Sequence, residues 1–465
     1  MSIIRVALHK LILLLHCALV IALTACSNGD GGGSSSSSAP TTTQNNVGHK
    51  LNVILILSDD QRFDTIWAMP NLQQHLVESG VLFENAVVTT PLCCPARASL
   101  LGGGLYDKNT GVLSNTLPLG SFKLFKDSQN LGTALQQAGY RTGLIGKVMN
   151  DYPEGYVLPG WSLLIANLGP ERDDWNSFKV TVGSSAETSS IGTIEGPINQ
   201  YITDYHRDRA LEFIQAASDQ PFFLIVSSYA PHSPATPAPA DIALFNDYLY
   251  RGRGYTENDL SDKPLWVRDP NLGLIAKTPL YDFPVQQLRS LQALDRSIKD
   301  IIDKLTELNK INDTVIIYTS DNGFMWGEHG LWRKTYEFEE SIRVPLVIRY
   351  PGVLPHREMR QVAINLDVPA TVLDLANSDF RTDGRSLISL LHQPNSSWRE
   401  WLLINMANDK SVHNSWAGIR TEEWKYVENV FGDQELYNLL TDWTAPLKLE
   451  TALHSLRRER SAVSV

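Results

Sequence analysis

Two kinds of apolar pattern alternate along this chain. Leu51 to Leu57 (LNVILIL) is almost unbroken apolar text, which is how a strand covered on both faces of a parallel sheet reads. Comparable runs stand at Arg141 to Ile145, at Pro221 to Ser228 (PFFLIVSS), at Thr314 to Thr319 (TVIIYT) and at Val344 to Tyr350. Between them lie patterns with helical spacing. Asn71 to Glu78 sets Leu72, Leu76 and Val77 on one side and stops before Gly80, and Leu131 to Ala138 stops at Gly139. Asp204 to Ala217 repeats through Ala210, Phe213 and Ile214. Phe283 to Asn309 is the longest, striped by Leu288, Leu291, Leu294, Ile298, Ile301, Ile302 and Leu305, and Asp367 to Asn377 is the last. Strands that alternate with helices predict an α/β fold with a mixed, largely parallel sheet flanked by helices.

Three stretches depart from that rhythm. Val81 to Val88 alternates and predicts one further strand, whereas Trp161 to Pro197, rich in Gly, Ser and Asn, reads as a long excursion over the sheet edge. Pro237 to Pro279 reads as a surface loop bordering a pocket. From about Arg381 the text changes to short alternating runs, such as Trp416 to Arg420, Trp424 to Glu428 and Glu435 to Leu439. These predict a small antiparallel sheet, so the expected division is a main α/β domain over residues 49–380 and a C-terminal subdomain over 381–465.

The N-terminus carries an address instead of a fold. Arg5 and Lys10 precede an apolar run from Leu11 to Leu23, too short to span a bilayer, and Leu23-Thr24-Ala25-Cys26 follows. Residues 1–26 are therefore expected to be a secretory signal, and LTAC resembles a bacterial lipobox, which implies a lipid on Cys26 and attachment to a membrane. Residues 27–48 (SNGDGGGSSSSSAPTTTQNNVG) offer almost nothing to bury and read as a flexible tether. Ser27 after the cysteine resembles lipoproteins sent on to the outer membrane, so the expected location is the periplasm, outer membrane or cell surface. A net charge of −11 argues against a nucleic-acid partner, and an anionic substrate would need a local basic pocket. Of four cysteines, Cys17 and Cys26 belong to this leader, leaving Cys93 and Cys94, whose adjacency makes a mutual disulfide strained.

Chemistry-bearing residues recur where strands end, which is where open α/β sheets collect ligands. Asp59 and Asp60 follow the first strand, Lys147 follows Arg141 to Ile145, His232 in APHSP follows PFFLIVSS, and Asp321 and Asn322 follow TVIIYT. Cys93 and Arg97 stand one helical turn apart in PLCCPARASLLGG, and Lys334 comes after GEHG. Three carboxylates and one amide are hard oxygen donors without a zinc-like imidazole or thiolate cluster, so the expected ion is Ca2+, with Mg2+ the alternative.

The C-x-P-x-R string at Cys93, Pro95 and Arg97, together with the residues above in that order, resembles the type I sulfatases over residues 51 to beyond 350. CCPAR, GKVMNDY at Gly146 to Tyr152, LPGW at Leu158 to Trp161 and APHSP look most like the N-acetylglucosamine-6-sulfatase branch. The resemblance implies an alkaline-phosphatase-like fold and a Cys93 oxidised to formylglycine by a separate maturation enzyme. It implies Ca2+ on Asp59, Asp60, Asp321, Asn322 and the group made from Cys93. It also implies a double displacement in which the hydrated aldehyde attacks sulfur, Arg97 and Lys147 hold it, and His232 and Lys334 contact sulfate and help protonate the leaving oxygen. The implied substrate is a sulfate ester, and the branch implies a sulfated sugar of a glycan. Two other readings stand beside it: a phosphodiesterase or phosphonate hydrolase of the same superfamily, and a non-catalytic glycan-binding lipoprotein. Met149 replaces a common histidine, Gly102 a usual threonine, and Asp107-Lys108 a common Pro-His, so no role is assigned there. His329 reads as an orienting residue.

Overall fold

The first strand, β1 (Asn52–Ser58), is buried along its whole length and divides by parity. Val53, Leu55 and Leu57 enter the core on one face of the sheet, while Ile54 and Ile56 enter the core on the other. Each such side chain contributes about 1.5–3 kcal/mol when fully buried, which offsets the entropy of fixing an extended backbone. The computed structural model describes residues 50–447 apart from 172–173, 218–219, 253–254, 256–259, 261–262, 269–281, 354–356 and 408–414. The expected signal and tether, and part of the loop expected over Pro237 to Pro279, lie outside the described residues.

Nine further strands complete the main sheet: β2 (Val81–Phe83), β3 (Arg141–Gly146), β4 (Leu163–Glu171), β5 (Asp174–Gly183), β6 (Thr193–Ile198), β7 (Phe222–Ser227), β8 (Thr314–Ser320), β9 (Leu346–Arg349) and β10 (Arg357–Met359). Their order across the sheet is β10-β2-β9-β8-β1-β7-β3-β4-β5-β6. The central strands β8, β1, β7 and β3 are parallel and in step: Ser58 pairs with Ser320, Leu57 with Ser227, and Ser227 with Gly146. Their carboxyl ends therefore finish in one row. Helices α1 (Cys93–Leu101), α2 (Leu131–Gln137) and α5 (Asp367–Leu375) cover one face, and α3 (Ile202–Ala216) and α4 (Phe283–Glu307) cover the other. The expected stripe of α4 is buried from Leu288 to Leu305, and the helix ends two residues before Asn309, which takes a left-handed φ of 56°.

Three expectations change. Asn71 to Glu78 is one α-helical turn, Pro70–Leu72, followed by a wider turn over Gln73–Val77 in which Glu78 N donates to Gln73 O at 2.9 Å. Val81 to Val88 is broken at Glu84 and Asn85, because Arg343 Nε takes the Glu84 carbonyl at 2.6 Å, and Ala86–Val87 pairs instead with Ala363–Ile364. Trp161 to Pro197 is no excursion but the edge of the sheet itself, β4 to β6. Beyond β4, which pairs in parallel with β3, the strands are antiparallel and need only one buried face, so in β5 Phe178 and Val180 go in while Lys179 between them is half-buried, and the apolar run that marks a central strand is missing.

Past the main sheet, β11 (Trp401–Met406), β12 (Trp416–Thr421), β13 (Trp424–Asn429), β14 (Gln434–Asn438) and β15 (Asp442–Leu447) form an antiparallel sheet in sequence order. It grips two segments of the main body. Asn405 donates to the carbonyl of Thr89 at 2.8 Å and to Asp107 Oδ2 at 2.7 Å, ahead of and behind Cys93. Trp416 Nε1 donates to Thr335 O at 2.9 Å and Lys425 Nζ to Glu337 O at 2.8 Å, just past Lys334. Among the described residues no helix is long and apolar enough to cross a membrane.

Candidate active site

Because the central strands end level, the residues that follow them meet. The ladder continues past the strands: Asp321 N donates to Ser58 O at 3.2 Å, Lys147 N to Ser227 O at 2.9 Å and Asp59 N to Ala230 O at 3.1 Å. Asp60 adopts a left-handed φ of 65°, a conformation that Asp tolerates better than most residues, and its peptide N–H reaches Asp321 Oδ1 at 3.2 Å. Cys93 opens α1 after the extended Leu92, so Arg97 lies one turn further on and shares its face.

Arg97 is the hub. Its Nε donates to Asp321 Oδ2 at 2.7 Å, Nη1 to Lys147 O at 2.8 Å and Ser227 Oγ at 2.7 Å, and Nη2 to Asp59 Oδ2 at 3.2 Å. Lys147 Nζ pairs with the same Asp59 oxygen and lies 5.5 Å from the Tyr229 ring centroid. Lys334 Nζ pairs with Asp60 Oδ1 and donates to Cys93 Sγ at 2.8 Å, and that sulfur lies 3.6 Å from Asp59 Oδ1. Asn322 Nδ2 donates to Asp60 Oδ1 at 2.6 Å. His232 Nδ1 donates to Ser233 O at 2.6 Å, which turns Nε2 toward Asp60 Oδ2 at 3.7 Å. All nine expected residues, Asp59, Asp60, Cys93, Arg97, Lys147, His232, Asp321, Asn322 and Lys334, thus join one network.

Burial and charge set the protonation states. Burial alone would raise Asp59, but Lys147, His232, Arg97 and Lys334 outweigh it and hold the carboxyl well below its usual range. Asp321 moves the other way, raised by burial and by Asp59. Lys147 is desolvated, yet Asp59 keeps it above its ordinary value, and Asp60 does the same for Lys334. Burial, then Asp59, pushes the Cys93 thiol up to about 12. A thiol in that state is protonated at neutral pH and is no nucleophile, so the sulfur as such does not explain the machinery around it.

Three fixed cations (Arg97, Lys147, Lys334) face three carboxylates (Asp59, Asp60, Asp321), a balance that leaves little attraction for an anion. A divalent cation would tip it. The donor set fits one: the carboxylates are hard oxygens, and Asn322 Oδ1 is buried without a hydrogen-bond partner among the described residues. In one respect the set differs from the all-oxygen expectation. Ligand atoms of Asp59, Asp60, Cys93 and His232 lie within 4.8 Å of one another, so an imidazole does border the carboxylates, because the turn at Ala230 to Ala235 folds His232 back over Asp60. His329 is buried with its ring 4.4 Å from Phe338.

Ser227 and Tyr229 were missed in the sequence. Both are ordinary residues at the end of β7, and only the register that places Ser227 beside Gly146 shows that the hydroxyl reaches Arg97.

Fold and site together define a class: the chain belongs to the sulfatase family, whose domain it matches over residues 51–378. Residues 327–457 match the N-sulphoglucosamine sulphohydrolase C-terminal domain. Within the family its relatives include the N-acetylglucosamine-6-sulfatase of Homo sapiens, 28% identical over 454 residues, 84% of this chain and 79% of that protein. That is the branch expected from CCPAR and APHSP. The extracellular sulfatase SULF-1 homologue of Drosophila melanogaster is 32% identical over 370 residues, 75% of this chain but 32% of that protein. The chain thus spans about a third of that relative's length, and 52% of its Caenorhabditis elegans counterpart. Among solved structures, BT4656 in complex with its substrate D-glucosamine-2-N,6-O-disulfate superposes with a TM-score of 0.70 at 22% identity, over 89% of this chain and 96% of that one.

Proposed function

We propose that this chain hydrolyses sulfate esters of sugars, with a nucleophile made from Cys93 and a Ca2+ ion held by Asp59, Asp60, Asp321 and Asn322. The observation that carries the reading is the contact of Cys93 Sγ with Lys334 Nζ inside a buried network in which Asn322 Oδ1 has no hydrogen-bond partner among the described residues. Oxidation of Cys93 by a maturation enzyme to an aldehyde, which hydrates to a diol, would supply the oxygen nucleophile that a thiol pushed up to about 12 cannot be. The ion would supply positive charge to polarise a sulfate oxygen.

The chain's own groups then divide the work. Arg97 is held by Asp321, Asp59, Ser227 and the Lys147 carbonyl, so it acts as a fixed charge that orients the Cys93 end of α1. Lys147 and Lys334 flank the nucleophile position and oppose the charge that develops on the sulfate oxygens. His232 is the most exposed member of the set, its side chain 32% accessible, and it can deliver a proton from Nε2 to the departing sugar oxygen. Similarity to the N-acetylglucosamine-6-sulfatases supports a 6-O-sulfated N-acetylglucosamine-type residue as substrate, and LTAC supports export with a lipid on Cys26.

Peptide mass spectrometry across Cys93, paired with release of inorganic sulfate from a panel of sulfated sugars and aryl sulfates, tests this. Formylglycine at Cys93 with turnover of a 6-O-sulfated sugar is the expected result. An unmodified thiol without turnover would favour a glycan-binding protein, and faster cleavage of matched phosphate or phosphonate esters would favour a phosphorus hydrolase.

A further inference from the structure

One aromatic cluster takes up the continuations of the site segments. Ala68 stands eight residues after Asp60, Ala235 three after His232, Phe324 two after Asn322 and Trp332 two before Lys334, and all four pack together with Phe283 and Tyr250. Phe283, Phe324 and Trp332 meet at centroid separations of 5.1 to 5.5 Å. This wall therefore borders the reaction centre.

Its outer surface is bare. Trp67, in the helical turn Phe63–Ala68, is 51% exposed, with Tyr248 tilted 36° at 5.5 Å and Phe245 edge-on at 5.9 Å. Leu244 and Leu249 in the same loop are 41% and 60% exposed. The shelf is held from below. Arg296 binds both oxygens of Asp241 at 2.7 and 2.8 Å, and Arg289 donates to Leu244 O at 2.6 Å and Asn246 Oδ1 at 2.7 Å. Gln73 Nε2 fixes the turn that carries Trp67 through Ile66 O at 3.0 Å. A large apolar side chain kept rigid in water offers a flat face with little entropy left to lose on contact. Arg62, the cation beside this shelf, is committed to Asp64 through both carboxylate oxygens at 2.7 Å and to Glu328 at 2.6 Å, so it is not free to draw an anionic ring here.

We propose that Trp67 and Tyr248 form a stacking subsite for an uncharged sugar ring linked to the sulfated one, taking the apolar C–H face of a pyranose. The inference rests on the sulfated-glycan reading above. The shelf continues the wall that borders the catalytic network, so a chain seated there runs on from the residue whose sulfate is removed.

The test compares wild type, Trp67→Ala and Trp67→Phe on a sulfated monosaccharide and on a disaccharide that joins the same sugar to an unsulfated one. Trp67→Ala is expected to raise KM for the disaccharide roughly tenfold with kcat held, the size of one lost aromatic contact, and Trp67→Phe to restore most of it. The disaccharide-to-monosaccharide ratio of kcat/KM should fall accordingly. An unchanged ratio, or equal loss on both substrates, would overturn the subsite. If Trp67→Ala does not fold, Tyr248→Ala takes its place with the same two outcomes. Saccharide turnover with an unchanged ratio removes only the shelf, whereas turnover of aryl sulfates alone removes the glycan reading and the shelf with it.

Discussion

Arg97 Nε donates to Asp321 Oδ2 at 2.7 Å, so the helix that opens with Cys93 and the turn that follows β8 are tied through one buried guanidinium–carboxylate pair. Removing the guanidinium in Arg97→Met strands Asp321 and Asp59 without their shared donor. The expected cost is about 3–5 kcal/mol in denaturant unfolding. Arg97→Lys keeps the charge but loses the fork and should fall between. A fully stable Arg97→Met would mean that other cations already balance the two carboxylates.

Cys93 and Cys94 are neighbours with opposite surroundings. Cys93 Sγ meets Lys334 and Asp59, whereas Cys94 Sγ meets only Asn150 and the core around α1. Cys93→Ala is expected to lower kcat by on the order of 10^4 or more, the scale of losing a nucleophile. Cys94→Ala should retain most activity. Similar losses in both would place the effect in packing and not in chemistry.

Asn322→Ala deletes the buried oxygen that lacks a partner. Ca2+ affinity read by calorimetry should fall at least tenfold, and added Ca2+ should restore activity. In the wild type, stripping the ion from a solution at about 100 times its Kd should lower stability by roughly 2.7 kcal/mol. An unchanged affinity in Asn322→Ala would remove this residue from the ligand set.

The segments buried on both faces were legible in the sequence for a physical reason: a central parallel strand has no polar side to show, so β1, β7 and β8 stand out as unbroken apolar runs. Their ends then located Asp59, Asp60, His232, Asp321 and Asn322. Edge strands carry no such mark. β5 and β11 alternate between buried and half-buried positions, β6 is exposed over nearly its whole length, and the run Leu164 to Ala166 of β4, though buried on both faces, is too short to stand out. The Val81 to Val88 break follows from Arg343, which is distant in sequence, so no local pattern records it. His232 was found, yet its approach to Asp60 depends on how its turn folds back.

His206 gives the pH dependence. Burial pushes its imidazole down from 6.5 to about 3, and both ring nitrogens lack hydrogen-bond partners among the described residues. The unfolded chain takes up a proton below about pH 6.5 and the folded one only near pH 3. Its contribution to stability is therefore full above 6.5 and drains away as pH falls through that window, at up to ~1.4 kcal/mol per pH unit. His206→Leu should be less sensitive to acid between about pH 6 and pH 4, measured by urea unfolding at each pH. Parallel curves for variant and wild type would show that the imidazole is already charged in the fold.

The level row formed by Ser58, Ser320, Ser227 and Gly146 makes the molecule unequal in its tolerance of insertions. One residue added within β1 or β8 would turn Asp59 or Asp321 to the opposite face and dismantle the network. The loop that carries Phe245 and Tyr248 is outside that row, so a residue added there leaves the pairing of β1 with β7 and β8 in register. The charged centre and the Tyr248 side of the proposed shelf thus stand on separate stretches of chain, so that side can vary over an unaltered sheet.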